Sequence, residues 1–468
     1  VSQVKLPGCI FVVTCLVLQA VPSRAGGYFL PGRGVRAFSR GGAFVVGADD
    51  ATAAWYNPAQ LAGQKGTRLQ LDAAMILSRM SFARYPVEEV AEDFAPVSND
   101  APPAPGLSAG ISSDFGLPGL VFGLSFYTPY GTWGHYPEDG AQRYSIIRSD
   151  NLAYQLQLSA AWEPFGGLRI GAGISFFTID ISDTHAVSGF PGLFGMPEDR
   201  DLDGTIQLIA RDAMIPGGQV GLWAHLGAWI PFLEGVELGL SFEPPMSVNA
   251  EGHMRARLPS HIYYDGVTLD PAEPPIAISF DLPWIVRSGV RYRYRDVFDI
   301  ELDLIWEGWS CLDVIHVRAR QPTYYRDIPT IGDYLLTFSD LPRHYRDTYS
   351  VRLGGSGKPL DWLVLRAGFL WEAGAPPDEY FTLNTPDSGK FAFAFGAGAQ
   401  LGAFEIDLGY MHVFFDERDI SNAVSLARQT NPSNPEGTTI VGGGRYTAAA
   451  DIVGLSVLVA VDKFWSAP

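Results

Sequence analysis

The sequence predicts an all-β protein, a transmembrane antiparallel barrel with a small N-terminal segment plugging its lumen. Three observations carry this. The 468-residue chain is 47% hydrophobic but only 18% charged, with 52 Gly and 13% aromatic residues, whereas soluble domains average about 25% charged residues. Beyond the first two dozen residues, no stretch supplies the roughly 20 consecutive apolar residues that a spanning helix needs. Several segments alternate between apolar and polar residues, as a strand does when one face meets lipid and the other water. A closed barrel is the other structure that satisfies every backbone polar group in lipid. A large secreted β-sandwich or propeller shares this composition and stands as the alternative.

The N-terminus reads as a secretion signal. Lys5 precedes an apolar core from Ile10 to Val21, and Ser23-Arg24-Ala25 offers the small residues that a signal peptidase requires. Residues 1–25 are therefore expected to be removed. Cys9 and Cys15 fall within the signal, which leaves Cys311 alone. A single thiol excludes an intramolecular disulfide framework and a Cys-based zinc cluster. The net charge of −18 argues against a nucleic-acid partner, whose phosphates it would repel.

The strand pattern is plainest in three places. Phe298, Ile300, Leu302, Leu304 and Trp306 alternate with Asp299, Glu301 and Asp303; Phe404, Ile406, Leu408 and Tyr410 alternate with Glu405, Asp407 and Gly409; Phe391, Phe393 and Phe395 alternate with small residues. Alternation alone does not say which face is outside. Aromatic residues at strand ends, such as Trp306, Tyr410, Phe414 and Phe415, favour a membrane, where such rings collect at the interfaces. The preceding strand, Ile285 to Tyr294, puts Arg287, Arg291 and Arg293 on one face. Matching the apolar faces requires an odd-numbered turn, Arg295-Asp296-Val297, which sets Arg293 opposite Asp299 and Arg291 opposite Glu301. The expectation is a lumenal ladder of charge pairs that stiffens the wall; holding a substrate's carboxylate is the alternative.

Between Gly34 and Gly63 the chain reads GVRAFSRGGAFVVGADDATAAWYNPAQLAG. Arg36, Ala37, Gly41, Gly42, Ala43, Ala48, Asp49, Asp50, Asn57, Pro58 and Ala59 match in order the plug, or hatch, motif of FadL-type outer-membrane transporters (the OMPP1/FadL/TodX family), which carry long-chain fatty acids and other hydrophobic compounds. The stretch Ser279 to Ser310, with Leu282-Pro283 opening a strand and Trp309-Ser310 closing the next, resembles the same family, as do the later strands. The resemblance spans nearly the whole mature chain. It implies a hatch over residues 26–65, a barrel of 14 strands over 66–468, a hydrophobic small-molecule ligand, the lipid bilayer and the barrel-assembly machinery as partners, a monomer, no cofactor and no enzymatic activity. It also implies that Gly26, Tyr28 and Phe29 lie near a lumenal pocket. The end of the chain departs from the usual barrel ending, because Phe464 and Trp465 are followed by Ser466, Ala467 and Pro468.

Long connections at 81–105, 136–151, 183–216, 247–275, 318–348 and 373–390 are expected to be mainly extracellular. One of them carries Phe190, Leu193, Phe194 and Met196, apolar side chains on a loop that faces water. The resemblance gives them the role of an outer groove that captures ligand first; packing within the loop is the alternative. The same loop holds Asp199, Asp201, Asp203 and Gly204, the opening of a calcium loop, but Ala210 stands where the closing Glu should be. A solvated acidic loop is the plainer reading, and no metal is expected. In the third strand, Gly123, Pro129 and Gly131 weaken the ladder and are candidates for a gap in the wall through which ligand leaves sideways; a strand ending at an ordinary Thr-Pro turn is the alternative. No nucleophile elbow, Walker loop or zinc-binding helix is present. A passive channel for hydrophobic molecules is the favoured function. A polar-solute porin and an outer-membrane lipid hydrolase are the alternatives.

Overall fold

The computed structural model describes residues 33–464, except 91–93, 330, 337–339, 385 and 433. The signal and Gly26, Tyr28 and Phe29 lie outside the described residues. Fourteen antiparallel passes close into a barrel. They are β1 (Thr67–Arg84), β2 (Ala104–Ser113), β3 (Leu120–Tyr127, resuming at Gly131–His135), β4 (Arg148–Phe165), β5 (Leu168–Ser188), β6 (Asp203–His225) and β7 (Val236–Glu243 with Met246–Arg257). Then follow β8 (Pro275–Leu282 with Ile285–Tyr294), β9 (Phe298–Glu307 with Val314–Ala319), β10 (Asp340–Pro342 with Thr348–Leu360), β11 (Leu363–Glu372), β12 (Lys390–Leu401), β13 (Phe404–Phe415) and β14 (Gly444–Ala460). The first and last strands join in an unbroken ladder from Arg68↔Ala460 to Arg84↔Gly444, so neither leaves a free edge.

The exposure of β9 decides which face is outside. Ile300 and Leu304 are 48% and 54% exposed, whereas Glu301 and Asp303 are 1% and 0% exposed. The oily face therefore points outward and the charged face inward, the reverse of a soluble sandwich. Exposed Leu71, Leu158, Ile174, Leu240, Phe393 and Leu408 continue the outer band on other strands. The β8–β9 hairpin turns through residues 295–297, with Arg295 at φ 51, and pairs Arg293↔Asp299 and Arg291↔Glu301.

Turns on the side of the chain ends are short, and the long connections lie on the other side. Several are shorter than the sequence suggests, because the strands run on beyond the lipid band. The β5–β6 ladder extends from Leu168↔Ala224 to Ser188↔Asp203, which leaves only residues 189–202 as loop. The alternation blurs there, since a strand above the membrane has no need of an oily face. A small outer sheet of Thr268–Asp270, Tyr324–Ile328 and Gly332–Leu335 also forms within these connections.

Residues 33–65 pack inside the barrel as two short helices, α1 (Val35–Ser39) and α2 (Ala53–Tyr56), and a 3-10 turn, Pro58–Gly63. Nearly all of them are buried.

Candidate functional site

The hatch is held by inward-facing polar side chains of the wall. On β9, the Glu301 carboxylate accepts from the N–H groups of Val46 (2.6 Å) and Gly47 (3.2 Å), and Asp303 from those of Phe44 (2.8 Å) and Val45 (3.0 Å). Arg40 reaches Asp299 at 2.7 Å and Glu301 at 2.9 Å. The expected ladder is thus shared with the plug. Arg291 meets Glu237 (3.2 Å) and, diagonally, Asp299 (3.3 Å), while Arg293 meets Glu237 (2.9 Å). Glu301 is not ion-paired with Arg291, because hatch amides and Arg40 occupy it. Strand periodicity places these groups on one face but cannot say what fills the lumen before them.

The other hatch residues each have a physical task. Arg36 pairs with Asp407 (2.9 Å), Glu405 (2.5 Å) and Asp49 (3.2 Å). Asp50 accepts from the N–H and hydroxyl of Thr52 and from Gln70. Gly41 has φ +66, and a Cβ there would lie 2.7 Å from the Phe369 backbone; Gly42 follows in the same left-handed region at φ +80. Asn57 caps the Pro58 turn by accepting from Ala59 N–H (3.1 Å), and donates to the carbonyls of Val45 (3.2 Å) and Leu222 (2.9 Å). The wall answers with glycine of its own: a Cβ on Gly171 would sit 2.4 Å from Ala59 N, so the turn rests directly on β5.

Above the hatch the inner face changes character. Phe177, Ile179, Ile181, Leu208, Ile278 and Ile315 belong to one apolar cluster. Its aromatic floor joins Tyr130 to Phe177 (5.8 Å between centroids) and to Trp309 (6.4 Å), and Trp309 to Tyr345 (6.2 Å). A cavity of about 390 Å³ opens over this floor. Part of its cap is residues 426–432, from the connection 416–443 that the sequence reading did not single out. Nothing in its composition distinguishes it from other polar loops. A second cavity of about 170 Å³ shares Gly131, Thr132, Asn151, Leu152 and Asn384 with the first, and reaches Ala104 and Pro105.

There the wall is open. Strand β2 is bonded to β3 as far as Leu107, whose carbonyl accepts from Thr128 N–H (3.2 Å) and whose N–H donates to Thr128 Oγ1 (3.0 Å). Pairing resumes at Asn99, which donates to Trp133 O (3.2 Å) and accepts from His135 N–H (2.9 Å), and at Asp100, whose N–H donates to the His135 carbonyl (3.0 Å). Between these points, among the described residues, no backbone hydrogen bond joins 104–106 to 129–132. Pro129 and Gly131 flank the break. Gly123 does not: it pairs with Ser112 on one side and Ser159 on the other, and its missing side chain makes room for Leu61 of the hatch. A glycine reads as a weak ladder position in sequence, yet the hatch is what requires this one.

On the outer surface Leu193 (74%) and Met196 (47%) are exposed, as is Ile262 (77%) of the 258–267 connection. Phe194 is half-buried, stacked on His261 (5.0 Å) and edge-on to Tyr263 (4.9 Å). Phe190 is half-buried, and its carbonyl accepts from Asn431 (2.9 Å). The three acidic residues nearby do not converge. Asp199 caps a 3-10 turn by accepting from Asp201 N–H, while Asp203 pairs with Arg143 (2.8 Å) and Tyr144 (2.6 Å). Their alternate spacing made a calcium loop conceivable; a strand starting at Asp203 turns that carboxylate toward Arg143 instead.

Comparison with known proteins decides the family. The model for outer membrane protein transport proteins (OMPP1/FadL/TodX) matches residues 17–457. The chain belongs to this family. It is an outer-membrane β-barrel, and the family comprises transporters of hydrophobic compounds. Among solved structures, a Pseudomonas aeruginosa FadL homologue superposes with a TM-score of 0.75 at 15% identity, covering 93% of this chain and 100% of that one. The Pseudomonas putida toluene transporter TodX gives 0.63 at 13% identity, covering 92% and 99%. The Ralstonia pickettii toluene transporter TbuX gives 0.57 at 14%, covering 91% and 98%. At these identities the likeness concerns the FadL fold. A Neisseria meningitidis serogroup B protein, named as a candidate outer membrane protein, is 22% identical over 93% of this chain and 95% of its own length.

Proposed function

We propose that this FadL-family protein is a passive channel that takes hydrophobic molecules from outside the cell and releases them sideways into the bilayer. The observation that carries the reading is the apolar cavity over a seated hatch, sharing a wall with a second cavity at the break between β2 and β3. A porin for polar solutes needs a continuous wet lumen, whereas here Phe44, Trp55 and Tyr56 are buried in the bore. In this reading a ligand first meets the surface formed by Leu193, Phe194 and Met196, passes to the cavity above Tyr130, and leaves between Pro105 and Gly131. Each stage offers apolar area, so transfer exchanges one partly dry surface for another rather than for water. Residues 26–65 act as the plug and residues 66–468 as the barrel.

The test is uptake into lipid vesicles containing the purified protein. A fluorescent hydrophobic probe is expected to enter the membrane faster than into protein-free vesicles, while a small sugar of similar mass is not. Equal acceleration of both would overturn the reading in favour of a porin.

A further inference from the structure

We propose that the inner mouth of the barrel docks an extended, acidic polypeptide segment of a partner protein. The proposal goes beyond the transporter reading and does not depend on it. A polar cavity of about 510 Å³ lies between the hatch and the short turns, lined by Gln60 and Gln64 on one side and by Arg295 and Gly402 on the other. In an outer-membrane barrel the short turns face the periplasm.

Arg68, Arg295, Lys358 and Lys463 line this mouth, and among the described residues none of them forms an ion pair. Arg68 donates to the Asp49 carbonyl (3.2 Å) while its Nε–H has no acceptor, and Lys463 donates to the Gly402 carbonyl (3.1 Å). Arg295 holds a left-handed turn position (φ 51) that glycine or asparagine fills at less cost, so the turn itself does not ask for this side chain. The acids of the lining are mostly taken: Asp49 and Glu405 by Arg36, Asp299 by Arg40, and Glu237 by Arg291 and Arg293. Asp296 is left to offset the unpaired cations. A chain of net charge −18 thus gathers positive charge at one opening, where it draws anions in.

The placement of these cations says what shape of anion fits. Arg295 sits in the β8–β9 turn, Lys358 stands just before the β10–β11 turn, Lys463 reaches across to the β12–β13 turn, and Arg68 opens β1. They follow successive hairpins around the rim, and two strands take about 10 Å of it. A single small anion spans too little to meet them. An extended chain advances about 3.3 Å per residue, so acidic side chains roughly three residues apart keep step with the hairpins. Arg68 shares strand parity with buried Gln70 and Asp72, and Lys358 with buried Arg352, so these two turn toward the bore and away from lipid head groups. The segment just before the hatch, residues 26–32, has no acidic residue with which to fill the site.

The experiment follows fluorescence anisotropy of a labelled peptide of about twelve residues, glutamate at every third position and serine and glycine between, against the full chain in neutral detergent. Native protein is expected to bind it, more weakly as salt rises, and to ignore the same peptide with glutamine for glutamate. Arg295→Gln with Lys358→Gln should weaken binding by about three- to tenfold. Adding Arg68→Gln and Lys463→Gln should bring it to the level of the glutamine peptide. Arg211→Gln with Arg255→Gln, on β6 and β7 toward the long connections, should leave it unchanged. Heat-modifiable migration checks that each barrel is folded. No binding at low salt, equal binding of the glutamine peptide, or undiminished binding by the fourfold variant would overturn the proposal. Displacement of the peptide by pyrophosphate at the same concentration would reduce the mouth to a small-anion site, and displacement by phosphatidylglycerol would assign it to lipid; either result also overturns it.

Discussion

Asn57 joins two parts of the hatch to strand β6 with one fully buried amide, accepting from Ala59 and donating to Val45 and Leu222. Asn57→Ala leaves those three backbone groups without this partner in a dry site, at about 1–3 kcal/mol for each buried unsatisfied group. The barrel should stay folded by gel mobility, while deuterium exchange of hatch amides around Ala59 accelerates by about tenfold for each 1.4 kcal/mol lost. Unchanged exchange would locate the anchor elsewhere. Asp387, in the outer connection after β11, offers a pH-dependent counterpart. Burial pushes its carboxyl up to about 6, against the opposing pull of Lys390 3.0 Å away, a cation that Glu372 shares at 2.9 Å. A carboxyl raised above its unfolded value of 3.8 binds its proton more tightly when folded. Its contribution is therefore fully present below the unfolded value and lost as pH rises through about 6. Native protein should show weaker protection of this connection at neutral pH than in mild acid. Asp387→Asn should flatten that dependence, and an unaltered profile would assign it to another group. The hatch motif was legible residue by residue because its close contacts demand particular side chains. The apolar cavity above the hatch was not, since its lining comes from strands β5, β8 and β9, far apart in sequence.

At the scale of strands, the sequence contains what the lipid dictates. An oily outer face forces alternation, and the odd-numbered turn then sets the β8–β9 register. It contains much less about where a ladder stops, because a break depends on both neighbours. Gly123 sits mid-ladder, while Pro129 and Gly131 stand at an opening that is equally a property of Ala104 to Gly106 across from them. This opening makes a prediction that separates binding from release. Ala104 borders the smaller cavity with neighbouring Pro105, so Ala104→Trp adds a large apolar side chain where the exit is proposed. Equilibrium binding of a hydrophobic ligand should change little, while transfer into the bilayer of reconstituted vesicles slows several-fold. Undiminished transfer would rule out this route. The outer surface can be probed the same way. Leu193→Asp together with Met196→Asp should slow uptake mainly from dilute ligand, where capture limits the rate, and leave the rate at saturation unaltered.

The molecule as a whole is a wall shaped by lipid around a plug held by charge. Four successive hatch amides, from Phe44 to Gly47, are accepted by Glu301 and Asp303, and Arg40 binds the same strand through Asp299 and Glu301. The hydrophobic band fixes the barrel in the membrane without reference to these contacts, so plug and wall should be separable by mutation. Replacing both acceptors, Glu301→Gln with Asp303→Asn, keeps their shape but removes the charge from four hydrogen bonds, each of which loses part of about 1.5–3 kcal/mol. It also leaves Arg40 with one carboxylate in place of two. Native protein in a planar bilayer is expected to pass no large steady current, because the bore is filled. The double variant should insert as well as native protein and show intermittent openings as the hatch leaves its seat, and their frequency should rise with salt as the remaining ion pairs are screened. A large steady current from the native chain would contradict a seated plug. A silent double variant would mean that the aromatic and glycine contacts on β5, β6 and β11 hold the hatch without the acidic strand.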